Sequence, residues 1–240
     1  MQVSPPGRPE GRSFLTAGRV LHHAADLVLG AGCPSCGRPG MGACARCVAA
    51  VEGLRPFLVD FLPPGLPPVV AAGLYSEELR AILLAAKERG ALGMLPLLGA
   101  RLAASLASVV LTMEVAGPLV LVPIPSAPDH VAERGVDLTA SLATGAARRL
   151  RAAGVEVGVV GALRLVRRPR DQAGLGRADR LANLAGAFRV ARRLPRGTVV
   201  LVDDIVTTGA TLVAAACACS DSGRPPLAAA TVAATRRRRP

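Results

Sequence analysis

One segment in the C-terminal third of the chain carries an apolar run directly into two adjacent carboxylates. Residues 199–212 read VVLVDDIVTTGATL, so that four apolar residues precede Asp203 and Asp204. A short continuous apolar run is typical of a strand that is buried on both faces, as in a parallel sheet covered by helices. Ligands of open α/β sheets bind outside the carboxyl ends of the strands. The segment therefore predicts a strand that brings two carboxylates to a ligand-binding edge.

The turn that follows these carboxylates consists of small or hydroxylated residues. They are Thr207, Thr208, Gly209, Ala210 and Thr211. Their N–H groups and hydroxyls can surround a compact anion, and a helix predicted to start near Gly209 adds the positive end of its dipole. A ligand with hydroxyls for the carboxylates and a phosphate for the turn is a 5-phosphorylated ribose. The alternative is that the aspartates cap a helix and the threonines fill a turn, which leaves two charges at the end of a buried strand unexplained.

Apolar segments alternate with helical periodicity over most of the chain. Strands are predicted at residues 69–76, 118–125, 162–167, 187–190, 199–204 and 226–237, and helices at 77–90, at 94–112, at 136–154 and after Gly209. Hydrophobic residues make up 51% of the chain but aromatic residues only 2%, which indicates an aliphatic core. Strands that alternate with helices predict an α/β fold in which helices flank a mostly parallel, twisted sheet.

Four of the six cysteines form two closely spaced pairs. The spacing is C-x2-C, seven residues, C-x2-C, and the residues are Cys33, Cys36, Cys44 and Cys47. Each pair can direct two thiolates at one point, and two pairs complete a tetrahedron around Zn2+. Two disulfides are the alternative, but thiols stay reduced in a chain without an export signal. The pattern predicts one structural zinc ion, whereas Cys217 and Cys219 are predicted to be small buried hydrophobic residues.

Basic residues outnumber acidic residues by 29 to 17, which gives a formal net charge of +12. Such a charge favours phosphate-bearing partners, although an arginine-biased composition alone would also produce it. The chain has one tyrosine, four phenylalanines and no tryptophan, so few side chains can stack on bases. Binding of single-stranded DNA is therefore expected to use backbone phosphates and to weaken strongly with salt.

Composition divides the chain into four regions. Residues 1–18 are expected to be disordered, and residues 19–55 to form a short helix and the zinc module. A Pro-rich linker is predicted at 56–68, followed by the α/β domain at 69–240. The N-terminal residues lack the pattern of a secretory signal, and no segment of about 20 apolar residues is apparent. A cytoplasmic protein is expected.

Residues 199–211 resemble the thirteen-residue signature of type I phosphoribosyltransferases, which bind phosphoribosyl pyrophosphate (PRPP). The resemblance implies that Asp203 and Asp204 hold the 2′- and 3′-hydroxyls of the ribose, while residues 207–211 surround the 5′-phosphate. It also implies Mg2+ on the pyrophosphate, because two carboxylates would repel a pyrophosphate in the absence of a divalent cation.

The resemblance extends over most of the chain, to the ComF competence-protein family. It rests on the two cysteine pairs, on LAAKERG, VPIPSAPDHVAERG and DDIVTTGAT, and on the spacing of Gln172, Leu175, Arg180, Asn183 and Phe188. The family usually has Phe-Asn-Gln where this chain has Val136, Asp137 and Leu138. The resemblance implies a PRPP-binding protein that supports DNA uptake and natural transformation, with single-stranded DNA and a helicase-like protein as partners. A catalytically active PRPP-dependent phosphoribosyltransferase of unknown acceptor is the alternative, for which the sequence identifies no catalytic residue.

Further residues are candidates for contacts to the pyrophosphate. They are Ser126, Lys87, Arg134, Gln172 and Arg180. Ser126 follows a predicted strand where type I enzymes carry the pyrophosphate loop, and Lys87 is the single lysine of the chain. Arg180 belongs to a loop rich in arginine and glycine that suits a flap over a polyphosphate. A proline-bounded turn at Ser126 and a solvated loop around Arg180 are the alternatives.

Overall fold

The structure is a computed structural model that describes residues 32–60, 62, 65–126, 129, 131–132, 135–166 and 186–235. The predicted disordered N-terminus and the helix expected before the cysteines lie outside the described residues. The helices are α1 (Ala45–Glu52), α2 (Glu77–Glu88), α3 (Leu95–Thr112), α4 (Leu138–Ala152) and α5 (Ala210–Asp221). The strands are β1 (Phe57–Leu58), β2 (Val69–Ala71), β3 (Leu119–Pro123), β4 (Val157–Val159), β5 (Leu163–Leu165), β6 (Phe188–Val190), β7 (Thr198–Val206) and β8 (Ala228–Ala234).

Six of these strands form one sheet in the order β1-β2-β8-β7-β3-β4. All neighbours in this sheet are parallel except β1, which pairs antiparallel with β2. The remaining strands, β5 and β6, pair with each other as an antiparallel ribbon. The predicted fold class is confirmed: helices flank a mostly parallel sheet, and a four-cysteine cluster precedes it.

Two strands of the sheet were not predicted from the sequence. β4 has three residues in the segment between the predicted helix at 136–154 and the predicted strand at 162–167, and β1 has two residues within the predicted linker 56–68. Strands of two or three residues are too short to show an alternating pattern, and they form because a neighbouring strand offers an edge for pairing. The segment predicted as a linker thus contributes an edge strand, while the division of the chain into domains stays a prediction.

The two faces of the sheet are covered by different elements. Val200 and Val202 of β7 face a core shared with α2, α3 and α4, whereas Val199 and Leu201 face a core shared with α5 and the β5–β6 ribbon. This alternation follows from the two-residue period of a strand. Cys219 is buried in the second core, but Cys217 is exposed, so the prediction of burial is wrong for Cys217. Residues two apart on a helix point to different faces.

The connections of β3 and β7 leave the sheet in opposite directions. β3 leads through α4 to its outer neighbour β4, and β7 leads through α5 to β8 on its other side. Because α4 and α5 cover opposite faces, the carboxyl ends of β3 and β7 meet at the point where the strand order reverses, and open α/β sheets have a crevice outside the strand ends at such a point. Such a switch point is the usual ligand site of open α/β sheets.

One described helical segment, residues 92–112, is long and apolar enough to cross a membrane. Half of its most apolar window is nevertheless buried inside the protein, and core helices of soluble proteins meet the same criterion. The segment comprises a 3-10 turn and α3, and its residues Leu98, Leu102 and Leu106 are fully buried in the core. Its length and composition are therefore weak evidence for a membrane span.

Arg101 of α3 joins the cysteine module to the sheet. Its side chain is buried, and its two terminal nitrogens donate hydrogen bonds to the backbone carbonyls of Glu52, Leu54 and Ala72. Glu52 ends α1, the helix that begins after Cys44 and contains Cys47, and Ala72 follows β2. A guanidinium suits this position because its planar fork presents several donors in fixed directions.

Replacing Arg101 by Met is expected to destabilise the protein strongly. The Arg101→Met side chain keeps most of the apolar stem but leaves three carbonyls without their donor, so the free energy of unfolding should fall by about 2–5 kcal/mol. Denaturant titration of the zinc-loaded protein measures this difference. Arg148→Met, at an exposed position of α4, is the matched control and should change stability by less than about 0.5 kcal/mol. Equal small effects of both substitutions would contradict the structural role of Arg101.

Candidate functional site

The two aspartates lie within β7 rather than after it. The strand continues to Val206 and stays paired with β8 to its end, whereas its pairing with β3 ends at Pro123, opposite Val202. Asp203 and Asp204 therefore follow the last residue of β7 that has a neighbour in β3. They border the crevice at the switch point, as the sequence predicts, although the strand continues beyond them.

Asp204 is buried and forms the one ion pair identified among the residues that the structure describes. Its Oδ2 atom lies 2.9 Å from the Nζ atom of Lys87, which is in the last turn of α2. Its Oδ1 atom accepts a hydrogen bond of 2.8 Å from the backbone N–H of Ile205. Lys87, predicted to contact a phosphate, thus contacts one carboxylate of the pair, that of Asp204. Its cationic side chain compensates one of the two negative charges.

The negative charge of Asp203 has fewer compensating partners than that of Asp204. Its Oδ1 atom accepts one hydrogen bond of 2.9 Å from the N–H of Asp204. Burial of its carboxylate and then the negative charge of Asp204 raise the pKa of Asp203 well above its ordinary value, and the Asp204 N–H and Lys87 only partly oppose this. A carboxyl group with a strongly perturbed pKa in a crevice is typical of a functional site.

The turn after β7 has the backbone geometry that favours glycine. Gly209 has a φ of 79° in the left-handed region and precedes the first residue of α5 as its N-cap. Glycine has no side chain that could cap the helix, and the Ala210 N–H donates a hydrogen bond of 3.4 Å to Thr208 Oγ1 instead. Thr207 is exposed, and Thr208 and Thr211 are partly exposed. The turn therefore presents hydroxyls and a helix N-terminus to the crevice.

Asp137, which sequence reasoning did not select as a site residue, holds the loop after β3. It is the N-cap of α4 and accepts a hydrogen bond of 3.1 Å from the Ala140 N–H. It also accepts bonds from the backbone N–H and the hydroxyl of Ser126, at 3.4 and 3.3 Å. An Asp directly before the apolar periodicity of a helix is a recognised N-cap signal, and that signal could have identified it. Asp137 thus orders both the start of α4 and the loop that contains Ser126.

Ser126 and Lys87, the pyrophosphate candidates that the structure describes, lie at the same edge of the sheet as the aspartates. The loop that contains Ser126 starts beside β7, because the Ile124 N–H donates to the Val202 carbonyl at 2.9 Å. Lys87 reaches the same edge from α2. Arg134, Gln172 and Arg180 lie outside the described residues.

The four cysteines of the two pairs converge on one point. Their Sγ atoms all lie within 4.8 Å of one another, and those of Cys36 and Cys44 are 3.6 Å apart. Two sulfurs that each lie about 2.3 Å from a tetrahedral zinc ion are about 3.8 Å apart, so the spacing suits this metal. All six cysteines of the chain are free thiols in the structure, and the disulfide alternative is not adopted. The cluster is positioned to hold a metal ion, consistent with structural zinc.

The thiols of the cluster differ in acidity. Burial alone would raise the pKa of Cys33, but hydrogen bonds from the N–H groups of Cys36, Cys44 and Ser35 outweigh burial and lower it to about 6. The Ser35 side chain lowers the pKa of Cys47, but burial and the neighbouring thiols raise it to about 11. Four thiolates this close repel one another, so a divalent cation is needed before all four lose their protons.

Comparison of the chain with protein-family models gives no matching model, and comparison with curated proteins gives no match.

We expect one equivalent of zinc per chain in protein purified without added metal, since an all-thiolate site binds zinc tightly. Cys36→Ser should remove most of the bound zinc, because a hydroxyl is a much poorer zinc ligand than a thiolate. Cys217→Ser, at an exposed thiol of α5, is the control and should keep the full equivalent. Metal analysis together with thiol titration measures both. A native protein with four reactive cluster thiols and no zinc would contradict the assignment.

Asp203→Asn is expected to stabilise the ligand-free protein at neutral pH. A raised pKa means that the fold favours the protonated acid, so this group contributes most stability below its ordinary pKa of 3.8 and loses that contribution as pH rises through the raised pKa. The advantage of the variant should therefore grow from pH 4 to pH 8, with about no difference at the acidic end. Unfolding curves across this range measure it. Exposed Asp221→Asn should show no such trend, and a destabilising Asp203→Asn at neutral pH would contradict the account.

Proposed function

We propose that the protein binds PRPP, or another ligand with a 5-phosphoribosyl group, in the crevice between β3 and β7. One observation carries the proposal. A carboxylate pair on a central strand is followed within five residues by a left-handed glycine at the start of a helix, and both border the switch point of the sheet. Ribose hydroxyls can donate hydrogen bonds to the carboxylates, and the terminal phosphate can bind at the turn and the helix N-terminus that follow them.

Each part of the site would act on a different part of the ligand. The carboxylates of Asp203 and Asp204 would accept hydrogen bonds from the ribose hydroxyls. The N–H groups and hydroxyls of residues 207–211 would bind the 5′-phosphate, and the dipole of α5 favours negative charge there. Ser126, fixed by Asp137, is the candidate contact on the β3 side.

The charge balance of the crevice supports a ligand that carries hydroxyl donors and a cation. Asp204 is neutralised by Lys87, but Asp203 lies beside a second carboxylate and has a raised pKa. Hydroxyl donors from a ribose stabilise the ionised form of a carboxylate and so oppose both effects. Mg2+ bound with the pyrophosphate would limit the repulsion between the ligand and the aspartates.

We further propose that the protein acts as a ComF-type protein in DNA uptake and natural transformation. The supporting observations are the four-cysteine cluster, the sheet that follows it and the order of motifs along the chain. The net charge of +12 supports an interaction with nucleic acid backbone. A helicase-like protein is the proposed protein partner.

Substitutions should separate the two parts of the phosphoribosyl site. Asp203→Asn and Asp204→Asn remove the charges that accept hydroxyl bonds, each worth roughly 1.5–3 kcal/mol, so PRPP affinity should fall about ten- to a hundredfold per substitution. Ribose 5-phosphate should be affected similarly, and inorganic phosphate hardly at all. Gly209→Val should weaken PRPP and phosphate alike, because a branched side chain is strained at a positive φ and obstructs the turn.

Isothermal titration calorimetry with PRPP and Mg2+ tests these expectations. Asp60→Asn, at an exposed residue between β1 and β2, is the matched control and should leave every ligand unaffected. Absence of PRPP binding by the wild-type protein, or proportional losses of phosphate and PRPP in the Asp and Gly variants, would overturn the proposal. Release of pyrophosphate in mixtures that contain bases, amines or single-stranded DNA would show turnover, as the transferase alternative requires.

A further inference from the structure

Two arginines lie directly opposite each other on the exposed face of the β5–β6 ribbon. Arg164 of β5 is the cross-strand partner of Arg189 of β6, and both side chains are exposed. Like charges in this position destabilise a two-stranded ribbon. The opposite face is fixed in the core through Leu163 and Phe188, so the two guanidinium groups are held on the same outer side.

The segment that leads from the ribbon to β7 extends this positive surface. Arg192, Arg193 and Arg196 are exposed, and residues 186–202 contain no acidic side chain. No carboxylate in the described part of the chain forms an ion pair with these arginines or with the ribbon pair. These exposed side chains form an arginine surface that consists of Arg164, Arg189, Arg192, Arg193 and Arg196.

A cavity of about 570 Å³ lies at one end of the arginine surface. Its charged lining comes from Arg193, Arg196 and Arg224, and its apolar walls include Leu194 and Pro195. Arg224 donates to the backbone carbonyls of Leu194 and Gly197, at 3.3 and 2.8 Å, which fixes the turn that carries the other two arginines. Hydrogen bonds of Arg224 thus hold in place the backbone that forms the positively charged side of the cavity.

The Arg193–Arg196 segment of the arginine surface lies apart from the phosphoribosyl site. It ends just before Thr198, the first residue of β7, whereas Asp203 lies five residues further along the same strand. At about 3.3 Å per residue the two places are about 16 Å apart along β7. The ribbon also packs on the face covered by α5, away from Lys87 and α2.

We propose that the arginine surface binds the phosphodiester backbone of a single-stranded nucleic acid. Arginine suits this ligand because its planar fork can form two hydrogen bonds to one phosphate, and bound phosphates would relieve the repulsion between Arg164 and Arg189. The chain from residue 189 to residue 196 can extend at most about 25 Å, which suits several successive phosphates rather than one small anion. Phe188, the aromatic residue of the ribbon, is buried, so recognition is by charge and not by base stacking.

The proposal deepens the proposed function by locating its nucleic-acid partner, and it uses no residue of the phosphoribosyl site. Binding should show little sequence preference and a strong dependence on salt. For a single strand the slope of log K against log salt is about −0.7 per neutralised phosphate, so five arginines would contribute up to about −3.5.

Titration of a fluorescent oligothymidine with the full-length, zinc-loaded protein tests the proposal. At about 0.1 M salt, the double variant Arg164→Gln/Arg189→Gln should bind about 25-fold more weakly than wild type, with a salt slope reduced by about 1.4. Arg193→Gln/Arg196→Gln should give a similar loss. The control Arg55→Gln/Arg148→Gln removes the same charge from exposed positions elsewhere and should stay within about threefold of wild type.

Several results would overturn the proposal. They are no binding by wild type, equal losses in the control and surface variants, and tighter binding of duplex DNA or inorganic polyphosphate than of the single strand. Zinc content and unfolding midpoints are measured on every variant, so a loss through misfolding is recognised separately. PRPP titration of the same variants reports on the phosphoribosyl site alone, so failure of one proposal is distinguishable from failure of the other.

Discussion

Two adjacent carboxylates on a central strand impose the main electrostatic requirement on this structure. A carboxylate removed from water needs a cation or hydrogen-bond donors, or else it takes up a proton. Asp204 meets the requirement through Lys87 and the Ile205 N–H, whereas Asp203 has one N–H donor and a raised pKa. The fold therefore retains an acidic group that is unfavourable in isolation. Proteins keep such groups mainly where a ligand uses them, at some loss of stability.

The sheet topology explains why this group meets a crevice rather than a packed core. α4 and α5 leave β3 and β7 in opposite directions and cover opposite faces, so neither helix closes the space beyond the end of β3. Asp137 then orders one side of this space by bonding Ser126, and Gly209 orders the other side by allowing the chain to turn into α5. Local hydrogen bonds thus shape the site, while the order of the strands determines where it forms.

Local sequence patterns were sufficient to predict the elements that are long or chemically distinctive. The alternation of strands and helices gave the fold class, and cysteine spacing gave the cluster. The Lys87–Asp204 pair joins residues 117 positions apart, and no local pattern encodes such a contact. The same holds for Arg164 and Arg189, because their segments were predicted as strands of the sheet and their pairing as a separate ribbon depends on register.

Helix α1 connects the cysteine cluster mechanically to the sheet. Its N-cap is Cys44 and its first turn contains Cys47, while Arg101 binds the carbonyl of its last residue, Glu52. A helix of eight residues is about 12 Å long and behaves as a stiff rod over that distance. The cysteine cluster therefore fixes the N-terminal end of α1, and Arg101 of α3 fixes its C-terminal end beside β2. Oxidation of the thiols or binding of a different metal would displace them, and this displacement would shift α1 as a rigid body against the sheet.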